Sequence, residues 1–176
     1  MKLFTKHLPK GASMAKALIA RASTITLDWD QRQHSRLNGL SSNGDSVALF
    51  LPRGKVLRGG DIMVSEQGEL LRIISADQSV LKITSCSIHG TPLDLPRAAY
   101  HLGNRHIPIE IQSTHLLIEP DHVLEEMLKN MGLIVQKSEL PFEPEAGAYE
   151  HASGHAAHHD HDHDHDHDHP HHHGHH

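Results

Sequence analysis

The chain is poor in several things that proteins of its size usually carry. It has one cysteine, Cys86, which excludes an intramolecular disulfide and suits a reducing compartment. Cys86 lies between Ser85 and Ser87 at the end of an apolar run, where a small structural residue is expected rather than a thiolate ligand. Aromatic residues make up 3% of the sequence, which leaves little for nucleic-acid bases to stack on. No apolar run approaches the 18 or so residues of a membrane span; Ala17 to Ala20 is cut short by Lys16 and Arg21, and the expected location is the cytoplasm. Lys and Arg are missing altogether from residues 143–176, whose three Glu and five Asp contribute −8 of the formal net charge of −6. Residues 1–142 therefore carry about +2, which is no basic footprint for nucleic acid. Catalytic signatures are absent too. Gly54-Lys55 is no phosphate loop, because Leu49 stands where its first Gly belongs and Val56 follows the Lys. There is neither a Gly-x-Ser-x-Gly elbow nor a His-Glu-x-x-His helix, and no enzyme is expected.

What is abundant is histidine, and it is concentrated at one end. In residues 151–176, fourteen positions are His: His151, His155, His158, His159, His161, His163, His165, His167, His169, His171, His172, His173, His175 and His176. Asp160, Asp162, Asp164, Asp166 and Asp168 alternate with them. In an extended chain this period of two sets imidazoles on one side and carboxylates on the other. Imidazole is the commonest protein ligand for Zn²⁺, Ni²⁺ and Cu²⁺, and each Asp can orient a neighbouring ring or partly neutralise a bound dication. An expression tag would gain nothing from interleaved Asp, and an inert solubilising tail would not need imidazole. Many equivalent ligands on a flexible segment mean capacity and exchange rather than one rigid catalytic geometry.

The remainder reads as α+β in two parts. Residues 1–76 are expected to form a small all-β domain, a sandwich or barrel. Its strand candidates are Ser23 to Trp29, Ser46 to Leu51, Lys55 to Leu57, Ile62 to Val64 and Glu69 to Ile74, separated by Gly turns. Arg53, Lys55 and Arg58 read as a solvated, turn-rich face, or as a docking surface for a protein. The pattern changes at Ala76-Asp77-Gln78. Residues 77–145 then give a strand from Val80 to Cys86, a helix capped by Asp94 and ended by Gly103, and strands at Ile107 to Ile111 and His115 to Ile118. A helix capped by Asp121, with Val123, Met127 and Met131 as its apolar stripe and Leu124 and Leu128 beside them, and a last strand at Leu133 complete a β-α-β-β-α-β order, the ferredoxin-like arrangement. Pro141, Pro144 and Gly147 are expected to loosen the chain ahead of a flexible tail over residues 146–176.

Outside the tail, the chemistry gathers where the first of these helices meets its strand, at His101-Leu102-Gly103-Asn104-Arg105-His106-Ile107-Pro108. A turn displays its side chains to solvent or to a partner, and beside a His-rich tail the imidazole of His106 reads as a ligand. This segment resembles the signature of the UreE family of urease accessory proteins. Leu51-Pro52-Arg53-Gly54 with Leu57 and Gly60-Asp61 resembles the family's N-terminal hallmark, and the His-rich C-terminus is a third likeness. The resemblance implies a nickel metallochaperone that delivers Ni²⁺ to apo-urease, with Zn²⁺ or Cu²⁺ as other ions it could hold. It implies a peptide-binding-like β domain before a ferredoxin-like metal domain, a homodimer, and the accessory GTPase UreG as partner. By the same resemblance, His106 of both protomers holds a metal at the dimer interface and His151 and His155 are further ligands. His122 is then a peripheral ligand and His101 a weaker one, while Pro120 stands where some members carry another His. His7, His34, His89 and His115 match nothing in the family pattern and read as structural or surface residues. A cytoplasmic nickel or zinc store is the alternative.

Overall fold

A computed structural model of the chain describes residues 1–11 and 14–146. Two sheets are built one after the other, and Met1–Glu145 form one compact unit. The first sheet holds β1 (Lys2–Leu8), β2 (Ser23–Leu27), β3 (Arg36–Leu40), β4 (Ser46–Phe50), β5 (Ile62–Ser65) and β6 (Leu70–Ser75), in the order β2-β6-β5-β1-β4-β3. β1 runs parallel to β4 and β2 parallel to β6; the remaining pairs are antiparallel. The sheet curls until its two outer strands meet. Ser42 donates its N–H to the Thr24 carbonyl at 2.7 Å, and a Cβ on Gly39 of β3 would stand 2.7 Å from Ile25 Cδ1 of β2. A larger residue at position 39 would have to push that methyl aside. Inside the curl lie Phe4, Ile25, Leu27, Val47, Leu49, Leu57, Met63, Leu71 and Ile73. At roughly 25 cal/mol per Å² of apolar surface, each of the larger ones contributes about 1.5–3 kcal/mol.

Several expectations for this half need correcting. β1 lies in the middle of the sheet although its sequence shows no clean alternation. Its only buried residue is Phe4, and the partners that order it, β4 and β5, are distant in sequence. The expected strand through Trp29 stops at Leu27. Asp28 accepts from the Gln31 N–H at 2.8 Å while Gln31 Oε1 accepts from the Asp28 N–H at 3.0 Å, a capping box that opens α2 (Trp29–Gln33). A short helix α1 (Lys16–Arg21) precedes β2, and β3 lies between Ser35 and Ser41, where no strand was expected. Lys55 to Leu57 is not a strand; Leu57 is instead held by its N–H to the Arg32 carbonyl at 3.0 Å.

The second sheet holds β7 (Asp77–Thr84), β8 (Glu110–Ile111), β9 (Leu116–Ile118) and β10 (Ile134–Pro141), all antiparallel, in the order β10-β7-β9-β8. α3 (Asp94–Gly103) joins β7 to β8, and α4 (His122–Asn130) joins β9 to β10. Side chains alternate across the sheet as the pleat requires. Leu81, Ile83, Leu116 and Ile118 face the two helices and meet Ala98, Leu102, Leu124 and Leu128. Val80 and Leu117 face the other way and meet Trp29 and Phe142. On α4 the buried face is therefore centred on Leu124 and Leu128; Val123, expected in the apolar stripe, is 60% exposed. Only Ala76 separates β6 from β7, so the change of pattern is no flexible linker.

The expected loosening at the prolines does not occur before Ala146. Phe142 is fully buried, and Glu143 accepts from Arg32 Nη1 at 2.5 Å, from the Gly59 N–H at 2.8 Å and from Ser75 Oγ. Arg32 Nη2 donates to the Phe142 carbonyl at 2.5 Å, and Arg58 Nη1 donates to the Pro144 carbonyl. Both guanidinium groups lie over the Trp29 ring, at 5.3 and 5.0 Å from its centroid. Arg53 and Lys55 are exposed as expected, but Arg58 is half-buried and serves this strap rather than a solvated face.

Candidate metal-binding turn

α3 begins without a side-chain cap. Asp94, expected to cap it, is already inside the helix and binds backwards, accepting from the Thr91 N–H and Oγ1 at 2.8 and 2.6 Å. Leu95, Ala98, Ala99 and Leu102 pin the inner face to the sheet, which turns Tyr100 and His101 to the outside. The helix does not stop at Gly103, which is helical and has no positive φ. The stop comes three residues later. His106 donates its N–H to the Gly103 carbonyl at 2.9 Å, and Ile107 donates to the Leu102 carbonyl at 3.3 Å. These are the two bonds of a Schellman motif, with Leu102 and Ile107 both packed in the core and His106 at the position that glycine usually takes.

His106 accordingly has φ 56°, one of two positive-φ residues other than glycine among the described residues. A left-handed conformation costs an L-residue about 1–2 kcal/mol, although His tolerates it better than most. The geometry points the exposed imidazole out of the turn between α3 and β8. The available signal was the lack of a glycine anywhere from Asn104 to Pro108 after an evident helix end.

His101 lies in the last turn of α3, with its ring edge-on to Tyr100 at 5.4 Å and its carbonyl taken by Arg105 Nη1 at 2.9 Å. His122 is the first residue of α4 and exposed, held in place by Asp121, which accepts from the Val123 and Leu124 N–H groups at 2.8 and 2.9 Å. Among the described residues, no three His, Cys, Asp or Glu side chains converge as a metal cage. The fourteen histidines from His151 to His176 lie outside the described residues. The other histidines have local partners. His7 Nε2 sits 2.7 Å from Asp61 Oδ2 in a nearly buried pair, His34 Nδ1 2.8 Å from the Asp30 carbonyl, and His115 Nδ1 3.1 Å from Thr114 Oγ1. His89 Nδ1 lies 3.9 Å from Cys86 Sγ. Cys86 itself is half-exposed rather than a packed core residue. Backbone N–H groups of His89 and Ile88, with the His89 ring, lower its thiol pKa to about 7.

Two family models cover nearly the whole chain. The one described as the UreE urease accessory protein N-terminal domain matches residues 4–76, and the one described as its C-terminal domain matches residues 78–176. The chain belongs to the UreE family. It is 56% identical over 151 residues to the urease accessory protein UreE of Polaromonas sp. strain JS666, covering 86% of this chain and 68% of that protein. It is 54% identical over 156 residues to UreE of Albidiferax ferrireducens, covering 89% of each. It is 53% identical over 154 residues to UreE of Verminephrobacter eiseniae, covering 88% of this chain and 92% of the relative. UreE proteins are accessory proteins of urease maturation, not enzymes, and the two-domain UreE architecture applies here: a strand-rich first domain and a mixed α/β second one. No helix among the described residues is long and apolar enough to cross a membrane.

Proposed function

We propose that this UreE is a cytoplasmic nickel metallochaperone that binds Ni²⁺ and hands it to apo-urease during metallocentre assembly. Its second domain is ferredoxin-like, on the strength of the β-α-β-β-α-β order and the β10-β7-β9-β8 sheet. The observation that carries the reading is His106: an exposed imidazole kept in a conformation where glycine would be easier. One copy of the chain supplies one such ligand, and a homodimer supplies two. An apolar cleft of about 680 Å³ between the first half of α3 and the β8–β9 hairpin, lined by Leu95, Pro96, Ala99, Ile111 and Leu116, offers apolar surface for self-association. Two imidazoles leave a dication with open coordination positions, so the ion stays exchangeable. His122, His101 and the tail, beginning with His151 and His155, are the further donors, and UreG is the docking partner. Nickel rests on the family, since imidazole alone favours Cu²⁺.

A storage buffer is the competing reading, favoured by the fourteen tail histidines. Urease activation separates the two in cells lacking this protein and complemented with full-length, tail-deleted or His106→Ala forms. Severe loss with His106→Ala and a milder, nickel-limited loss on tail deletion is the expected ranking. The reverse ranking assigns the protein to storage.

A further inference from the structure

α3 ends with one carbonyl that its own backbone passes over. Asn104 still donates its N–H to the Tyr100 carbonyl at 3.0 Å, the four-residue step of an α-helix. The bonds then tighten: Arg105 donates its N–H to the Leu102 carbonyl at 3.0 Å and His106 donates to the Gly103 carbonyl at 2.9 Å, while Ile107 returns to the Leu102 carbonyl at 3.3 Å. Tyr100, Leu102 and Gly103 are thus satisfied, and among the described residues no backbone N–H reaches the His101 carbonyl. Arg105 fills the gap with its side chain, Nη1 donating to that oxygen at 2.9 Å. The guanidinium makes the contact that the Arg105 N–H would make if α3 simply continued, and it brings positive charge to the negative end of the helix.

Two endings are open to this segment. Pro108 disfavours the helical region at Ile107, so α3 can run no further than His106. In one ending Arg105 takes the ordinary backbone bond to His101, and His106 is helical and unstrained. In the other, the one observed, the backbone gives that bond up and His106 takes φ 56° with its imidazole directed out of the turn. Ile107 favours the second ending by packing beside Leu102, and Arg105 favours it by replacing the bond that was given up. We propose that Arg105 is a positioning residue for His106: its guanidinium holds α3 in the ending that presents the imidazole to a metal ion. Arg105 itself does not touch the ion.

The inference rests on reading His106 as a metal ligand, and two readouts keep the two apart. Full-length protein is prepared with Arg105 intact, as Arg105→Ala or as Arg105→Lys, each with His106 or His106→Ala. In the metal-free protein, the NMR coupling between the amide and α protons of His106 separates the left-handed conformation from the helical one. Nickel affinity at the first equivalent is measured by chelator competition, and the ratio between the His106 and His106→Ala forms isolates the contribution of the imidazole. Arg105→Ala should move the coupling toward its helical value and cut the ratio about three- to fivefold, the weight of one charge-assisted hydrogen bond at an exposed site. Arg105→Lys keeps a cationic donor and should restore most of both. A coupling unmoved by Arg105→Ala overturns the proposal even where the ratio falls, because Arg105 would then act through its charge and not through the turn. A shifted coupling with a clear ratio that holds overturns it as well, since the ligand would not need the turn. A ratio near one with Arg105 in place defeats the ligand reading instead, and the coupling alone then decides whether Arg105 positions the turn.

Discussion

Replacing His106 with glycine should make the metal-free protein more stable while removing the imidazole proposed as its ligand. His106 sits at φ 56° in the Schellman position of α3, with two backbone bonds that do not involve its side chain. Relief of the left-handed conformation is worth about 1–2 kcal/mol, from which the greater freedom of glycine in the unfolded chain subtracts about 0.4–1 kcal/mol. The net gain is about 0.5–1 kcal/mol. At about 2–4 °C per kcal/mol for a chain of this size, Tm rises by roughly 2–3 °C. Alanine at the same site keeps the strain without the tolerance of His for it, so His106→Ala should be neutral to slightly destabilising, about 1 kcal/mol below His106→Gly. The assay is urea unfolding of EDTA-treated protein at one fixed concentration, so that any self-association affects all variants alike. A midpoint that falls for His106→Gly, or that moves equally for Gly and Ala, refutes the argument that the turn is held against its own preference. Nickel titration of the same two variants should show equal losses, which divides conformational cost from ligation.

Three further outcomes follow from other parts of the molecule. Glu143→Ala leaves the fully buried Arg32 without its carboxylate and should destabilise the protein by about 3 kcal/mol in urea unfolding; a cost below about 1 kcal/mol would show that solvent reaches the guanidinium. Burial pushes the Asp61 carboxyl up, but hydrogen bonds from His7, the Lys10 N–H and the Arg58 N–H outweigh it and hold the group below its ordinary 3.8. Its stabilisation is thus fully present above pH 3.8 and lost as pH falls through the lower folded value. Asp61→Asn should cost about 2 kcal/mol at pH 7, with the gap to wild type closing in strong acid; a gap independent of pH would contradict the assignment. Alkylation of Cys86 by iodoacetamide should reach half its maximal rate near pH 7, and a midpoint near the ordinary 9.0 would show that the loop donors do not act on the thiol.

Legibility in the sequence follows the range of the interactions. Asp121 and Gly132 bracket α4 with local signals, and both work as expected: the carboxylate takes two N–H groups and Gly132 has φ 84°. The alternation of Val47, Leu49 and Leu51 likewise marks β4, whose inner face is buried. The capping box at Asp28 and Gln31 was equally readable, but an alternating run through Trp29 concealed it. β1 and the strap were out of reach for another reason. Lys2–Leu8 is ordered by strands some 45 and 60 residues away, and Phe142-Glu143 chiefly by the Arg32 guanidinium, 110 and 111 residues earlier. Prolines around the strap suggest looseness only while those partners are ignored. For the candidate site, residue types and their clustering in one turn were visible. The strained backbone of His106 depends on where the helix ends in three dimensions.

The distance in sequence between Arg32 and Glu143 also sets a timetable. At about 5–20 residues per second, the 111 residues separating them take a ribosome roughly 6 to 22 s. For the last 68 residues of that interval, after Ser75, the six strands of the first sheet can pair, yet the Arg32 guanidinium and Trp29 still lack the strap that closes over them. The nascent chain thus presents a finished sheet with one sticky, cationic seam.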